Sequence, residues 1–148
     1  MLFRSSQSAF AASTPTGSLA PVEYQPGVCN IGPAEIARRR RAGHTGLIAT
    51  VVAFAILLIV GAPPIARLVL IVPAAVSASG YLQAWLKFCA GFGSAGVFNF
   101  GEVGTTEHVV DDKAKALDRA RAMRIGLASF AIGGVVGVAA VLLGVIGI

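Results

Sequence analysis

Three long apolar stretches divide this 148-residue sequence, and nearly all of its charges lie on one side of them. The stretches cover residues 44–61, 65–86 and 125–148. About 20 apolar residues in a helix cross the roughly 30 Å hydrocarbon core of a bilayer. All seven carboxylates and all Lys and Arg residues except Arg67 flank the stretches on the same side. The pattern predicts an all-α membrane protein with three transmembrane helices, a hairpin followed by a glycine-rich third span.

The basic residues also predict an orientation. A run of four arginines directly precedes the first stretch, and basic residues favour the cytoplasmic side of a membrane. We therefore expect a cytoplasmic N-terminus, an external C-terminus and a multi-pass protein of the cell (inner or plasma) membrane. Arg67 is expected to extend its side chain to the outer boundary. The residues predicted to meet lipid headgroups are Arg38, Arg39, Arg40, Arg41, Trp85 and Lys87.

Composition shifts divide the chain into four segments. Residues 1–28 are rich in Ser, Thr, Ala and Pro and predict a disordered N-terminal tail. Residues 29–101 predict a basic interfacial helix, a bend at Gly43 and Gly46, the hairpin, and an interfacial loop rich in Gly and Phe. Residues 102–124 predict a charged cytoplasmic stalk helix, in which Asp111 pairs with Lys115. Residues 125–148 predict the third transmembrane helix.

The composition favours lipid as the partner. Hydrophobic residues make up 55% of the chain and charged residues 13%, which is too apolar for a soluble domain of this length. The net charge of +5 comes from residues next to the membrane, where each basic side chain attracts anionic lipid by about 1 kcal/mol. We expect anionic headgroups, and no nucleic acid, to be bound. The two cysteines are expected to be free thiols.

Small residues recur along the third stretch at heptad spacing. They predict a seam along which another helix packs closely. The partner helix can belong to the chain's own hairpin or to another chain. The predicted packing residues are Gly126, Gly133, Gly137, Ala140 and Gly144.

A spaced set of residues before the first stretch resembles a known family. Asn30, Gly32, Glu35, Arg39 and Gly43 are similar to the opening motif of the YgaP-like inner-membrane transmembrane domain family. Phe88-Cys89 and the following Gly-rich segment are similar to that family's ending, so the resemblance covers residues 29–101. It implies an inner-membrane helical hairpin, joined in some members to a rhodanese sulfurtransferase domain. This chain has no rhodanese domain, and it adds the stalk and the third span.

The residues with chemical potential are few. Cys29, His44, Cys89 and His108 are the chain's cysteines and histidines, and they include no closely spaced pair typical of a zinc site. We therefore expect no metal. Both cysteines are thiol candidates, because Cys89 lies in a Gly-rich loop and Cys29 lies near positive charge that would lower its pKa. Glu35 is expected to pair with Arg39 in a positioning role.

These features favour a non-catalytic function without a cofactor. We expect a small integral membrane protein that acts in membrane assembly, as a homo-oligomer or as a subunit of a larger membrane complex. No recognisable catalytic triad or phosphate-binding loop supports an enzyme. The alternative is a thiol or sulfur-relay component of the membrane that uses Cys29 and Cys89.

Overall fold

A computed structural model describes residues 23–147, and this part of the chain is mostly helical. Two long helices flank a shorter central one, and a small cap of loops covers one end. The elements in chain order are helix α1 (Pro33–Ile59), a 3-10 helix (Pro64–Leu70), helix α2 (Ile71–Trp85), helix α3 (Ala90–Ala95), strand β1 (Val97–Phe98), strand β2 (Glu107–His108) and helix α4 (Asp112–Val145).

Three helices in the described region are long and apolar enough to cross a membrane. They are α1, the 3-10 helix continued by α2, and α4. At 1.5 Å per residue, the 27 residues of α1 extend about 40 Å and the 34 residues of α4 about 50 Å. Both helices are therefore longer than the hydrocarbon core of a bilayer is thick. The predicted multi-pass helical architecture is confirmed, whereas the orientation and the type of membrane stay predictions.

Helix α1 is continuous where the sequence predicts a bend. It begins at Pro33, whose missing N–H costs nothing in a first turn, and it runs without interruption to Ile59. The glycines at 43 and 46 serve for packing against α2 rather than for bending. A Cβ atom at Gly43 would lie 3.0 Å from the ring of Tyr81, and Ser77 Oγ donates a hydrogen bond of 2.9 Å to the Gly43 carbonyl. The predicted interfacial helix is thus the first part of the first span.

The small residues of α4 contact the chain's own hairpin. A Cβ atom at Gly133 would lie 2.6 Å from the carbonyl oxygen of Ile71, and one at Gly137 would overlap the Ile71 side chain. Ala140 is buried, and Gly144 lies against the Arg67 side chain. Gly126 has open space beside it and takes no part in this contact. The predicted seam is therefore occupied within the chain.

The stalk and the third span form one helix. Asp111 is its N-cap, because its carboxylate accepts hydrogen bonds from the backbone of Lys113 (3.4 Å) and Ala114 (3.1 Å). Lys115 consequently pairs with Asp112 at 3.1 Å, and not with Asp111 as the sequence predicts. The residues before the cap are extended, and β1 pairs with β2 in antiparallel register. The helix thus begins later than the sequence predicts.

The segment before Cys29 docks on α4. The predicted disordered tail falls largely outside the described residues, but residues 23–28 form an ordered turn. Asp118 is fully buried there and accepts hydrogen bonds from Tyr24 Oη at 2.8 Å and from the Gly27 backbone at 2.7 Å. Burial and the neighbouring Asp118 raise the pKa of Tyr24, so the tyrosine stays a donor. A carboxylate distant in sequence orders this turn.

Substituting Gly133 with Ala should lower stability, whereas substituting its neighbour Gly134 with Ala should not. Gly133→Ala places a methyl group against the Ile71 carbonyl, and overpacking of this kind costs about 1–3 kcal/mol. Gly134 has open space, so Gly134→Ala should be neutral or stabilising because Ala favours helix. Thermal unfolding in detergent, followed by circular dichroism, measures both. Equal stability of the two variants would contradict the packing of α4 on α2.

Substituting Asp118 with Asn should release the turn at residues 24–27. The Asn side chain is uncharged and has one acceptor oxygen, so it cannot accept the hydrogen bonds from both Tyr24 and Gly27 as the carboxylate does. Hydrogen bonds to charged groups contribute about 1.5–3 kcal/mol each. We expect faster hydrogen exchange at Gly27 and a lower unfolding temperature. Asp112→Asn is the matched control, since the Asp112 side chain is 95% exposed. Unchanged exchange at Gly27 in Asp118→Asn would show that the turn is held by other contacts.

Candidate functional site

The loop that follows α2 buries the sequence Phe88-Cys89. Lys87 has a φ of 52°, a left-handed conformation that reverses the chain at the end of the helix. Phe88 is thereby fully buried and packs with Ala122 and Ile125 of α4. Cys89 follows as the N-cap of α3 and is 1% exposed. The loop predicted to lie in the interface is anchored in the protein core.

The Asn30 side chain fixes the backbone of Cys89 from both sides. Its Nδ2 donates to the Cys89 carbonyl at 3.1 Å, and its Oδ1 accepts from the Cys89 N–H at 2.7 Å. Asn30 is fully buried, and its backbone bonds Lys87 and Asn99. Because buried polar groups are costly to leave without partners, this paired contact holds the thiol at one position.

The sulfur of Cys89 accepts two hydrogen bonds. Arg39 Nη2 lies 2.9 Å from Sγ, and the backbone N–H of Phe92 lies 3.4 Å from it. The Arg39 guanidinium also lies over the Phe92 ring, 5.8 Å from its centroid. Both donors carry positive charge or a positive dipole end, so they can stabilise a sulfur atom that bears negative charge. Arg39 covers the thiol and is itself 22% exposed.

Glu35 holds the arginine from behind. Its side chain is fully buried, and its carboxylate oxygens lie 3.7 Å from Arg39 Nη2 and 3.5 Å from Arg38 Nη1. These are ion contacts too long for hydrogen bonds, and neither oxygen accepts a hydrogen bond within the described residues. The predicted pairing of Glu35 with Arg39 is present. Glu35 positions Arg39, and its carboxylate can accept hydrogen bonds from further donors.

The motif residues singled out in the sequence gather around this loop. Asn30 and Arg39 contact Cys89 directly, and Glu35 contacts Arg39. A Cβ atom at Gly32 would lie 2.9 Å from the backbone of Phe100, so glycine is needed for the chain to pass. Gly43 makes the same kind of contact farther along α1, at α2. Four of the five motif residues therefore serve the loop around Cys89, and Gly43 serves the contact between α1 and α2.

The other cysteine has a different environment. Cys29 is 7% exposed, and its thiol donates a weak hydrogen bond of 3.8 Å to the Ile31 carbonyl. Burial raises the pKa of the Cys29 thiol and outweighs the opposing effect of Lys87. The sequence-based expectation that nearby positive charge lowers this pKa is wrong, because desolvation is the larger effect.

The histidines do not join the cysteines. His44 Nδ1 contacts Tyr81 Oη at the side of α1, and His108 lies exposed in β2. Within residues 23–147, no three His, Cys, Asp or Glu side chains lie close enough together to hold a metal ion.

The predicted headgroup residues divide into two groups. Arg38, Arg40, Arg41 and Lys87 are exposed, and Trp85 is 79% exposed at the end of α2. Arg39 alone in this set turns inward, to Cys89.

The Arg67 side chain turns into the protein, in contrast to the extended position expected from the sequence. It is 6% exposed, its Nη1 donates to the Ala140 carbonyl at 3.1 Å, and its guanidinium lies 5.6 Å from the Phe54 ring centroid. The small residues of α4 make room for it, so it joins the hairpin to the third span. In the sequence, the one feature that indicates a special role for Arg67 is its position between the first two apolar stretches, apart from all other Lys and Arg residues.

Comparisons with known proteins identify no relative. No protein-family model, no curated protein and no solved structure matches this chain. The YgaP-like resemblance therefore stays a prediction, and the site must be interpreted from its own geometry.

Alkylation of Cys29 should be slow at neutral and mildly alkaline pH. Because its pKa is raised, less thiolate is present than in an ordinary thiol of pKa about 8.5, and the rate should rise only as pH climbs well above that value. Iodoacetamide labelling of the Cys89→Ser protein, followed by mass spectrometry, measures the rate. A peptide of residues 25–33 is the control. Equal rates in protein and peptide at pH 8 would contradict the effect of burial.

Proposed function

We propose that this chain is a thiol component of a membrane, which carries a sulfur atom on Cys89. The contact of 2.9 Å between Arg39 Nη2 and Cys89 Sγ is the observation that carries the proposal. A buried thiol that merely fills space needs no cation, whereas a sulfur anion needs one. Asn30 fixes the position of the Cys89 backbone. The Arg39 guanidinium supplies a positive charge beside the sulfur, and the Phe92 N–H supplies a second hydrogen-bond donor.

The geometry favours sulfur carriage over a disulfide switch. A switch needs two reactive thiols, and burial disfavours the thiolate of Cys29. Sulfur carriage needs one. The Cys89 thiolate attacks the terminal sulfur of a small persulfide donor, a bond forms between Sγ and that sulfur, and the donor's S–S bond breaks. The electron pair leaves on the donor thiolate, so no external oxidant is required.

The protein residues have separate roles in this step. Arg39 stabilises the negative charge on Cys89 and then on the persulfide, and it must move aside for the donor to enter. Glu35 holds Arg39 in place through its ion contact. Asn30 fixes the backbone so that the sulfur keeps its position. Cys89 is itself 1% exposed, which limits water near the persulfide.

Membrane assembly, which the sequence pattern favours, now requires a different surface. Gly133, Gly137 and Gly144 all pack against the chain's own 3-10 helix and α2. A second chain cannot use this seam without displacing them. Assembly as a homo-oligomer or in a larger complex stays a prediction without a specific contact face.

Persulfide loading of the full chain in detergent tests the proposal. After incubation with glutathione persulfide, intact mass spectrometry should show one added sulfur in the wild type and in Cys29→Ser, and none in Cys89→Ser. Arg39→Gln should reduce the loading rate by about 10-fold or more, the effect of a lost charged hydrogen bond. Arg40→Gln is the matched control, because Arg40 is exposed on the same helix. Equal loading of Cys89→Ser would refute the assignment.

A further inference from the structure

A groove runs along the molecule between α1 and α4. Both helices pack against α2 and hardly touch each other, so α2 forms the floor of the groove. Two cavities of about 430 and 290 Å³ lie along it and share Thr50 and Val136 as walls. Their linings are almost entirely apolar, and they open sideways, where the lipid of a bilayer would lie.

One end of the groove leads to a small, mostly apolar cavity that two arginines border. This third cavity of about 180 Å³ shares Leu82 with the larger groove cavity and is lined by Arg121 and Arg124 of α4. The Nε of Arg121 is buried and makes no hydrogen bond with any residue that the structure describes. Among residues 23–147 neither arginine forms an ion pair, and the buried Asp118 of the same helix already binds Tyr24 and Gly27. Within the described residues, the partly buried Arg121 and the exposed Arg124 therefore lie beside one end of the apolar groove without an acidic partner.

This combination specifies the chemistry of an occupant. A free phosphate would satisfy the arginines and leave the groove unfilled. A phospholipid with an anionic headgroup satisfies both parts, because its phosphate can meet the guanidinium groups while an acyl chain lies along α2.

We propose that an anionic phospholipid binds in the groove between α1 and α4, with its headgroup at Arg121 and Arg124. The site is separate from Cys89 and from the exposed arginines of α1. The lipid fills the space that α1 and α4 leave between them and joins these two helices, which otherwise meet through α2 and the 3-10 helix.

Native mass spectrometry of the full chain tests this site. The protein is released from detergent micelles containing equal amounts of phosphatidylglycerol and phosphatidylcholine. The wild type should retain one phosphatidylglycerol. Arg121→Gln with Arg124→Gln should bind it about 10-fold more weakly. Lys113→Gln with Arg119→Gln is the matched control. These substitutions remove the same amount of positive charge from exposed positions of α4 that do not line the cavity. Arg121→Lys with Arg124→Lys should preserve most of the binding.

A second pair of variants tests the groove itself. Val136 lines both groove cavities, so the larger side chain of Val136→Phe should fill space in both and displace the lipid. Val135 is 70% exposed and lines neither cavity, so Val135→Phe should retain the lipid. Excess inorganic phosphate should not compete. The proposal is overturned if the Gln double variant binds like its control, if Val136→Phe retains the lipid, if phosphate alone displaces it, or if a second protein chain occupies the site instead.

Discussion

Close backbone contact at both sides of α2 is the constraint on which the rest of this structure depends. Gly43 and Gly46 let α1 approach it, and Gly133 and Gly137 let α4 approach it from another side. In a bilayer, helices gain little from burying apolar surface, so van der Waals contact between small residues provides the attraction. The central position of α2 also explains why the outer helices leave a groove between them.

The same contact determines the environment of the two thiols. By holding α1 against α2, it brings Arg39 and Asn30 to the loop that begins at Lys87. Cys89 thus receives a cation and a backbone donor, whereas Cys29, only one residue before Asn30, meets a carbonyl and low-polarity surroundings. Two cysteines near the same end of the molecule therefore differ in chemistry because of their neighbours.

Local patterns predict the parts of this protein that depend on local forces. Hydropathy predicts the three spans, and heptad spacing predicts the packing face of α4 because both follow from helical periodicity. Contacts between distant residues leave no such pattern: Arg39 meets Cys89 50 positions away, and Tyr24 meets Asp118 94 positions away. The burial of Arg67 was missed for the same reason, since only the arrival of α4 supplies the Ala140 carbonyl.

Helix α4 is one continuous helix that extends between the two ends of the molecule. Near its start Asp118 holds the turn at Tyr24, and near its end the Ala140 carbonyl holds Arg67. A rotation of α4 by one residue, about 100°, would carry both anchors out of reach together. The two ends of the molecule are therefore linked through α4, so a disturbance at one end can reach the other as a movement of the whole helix.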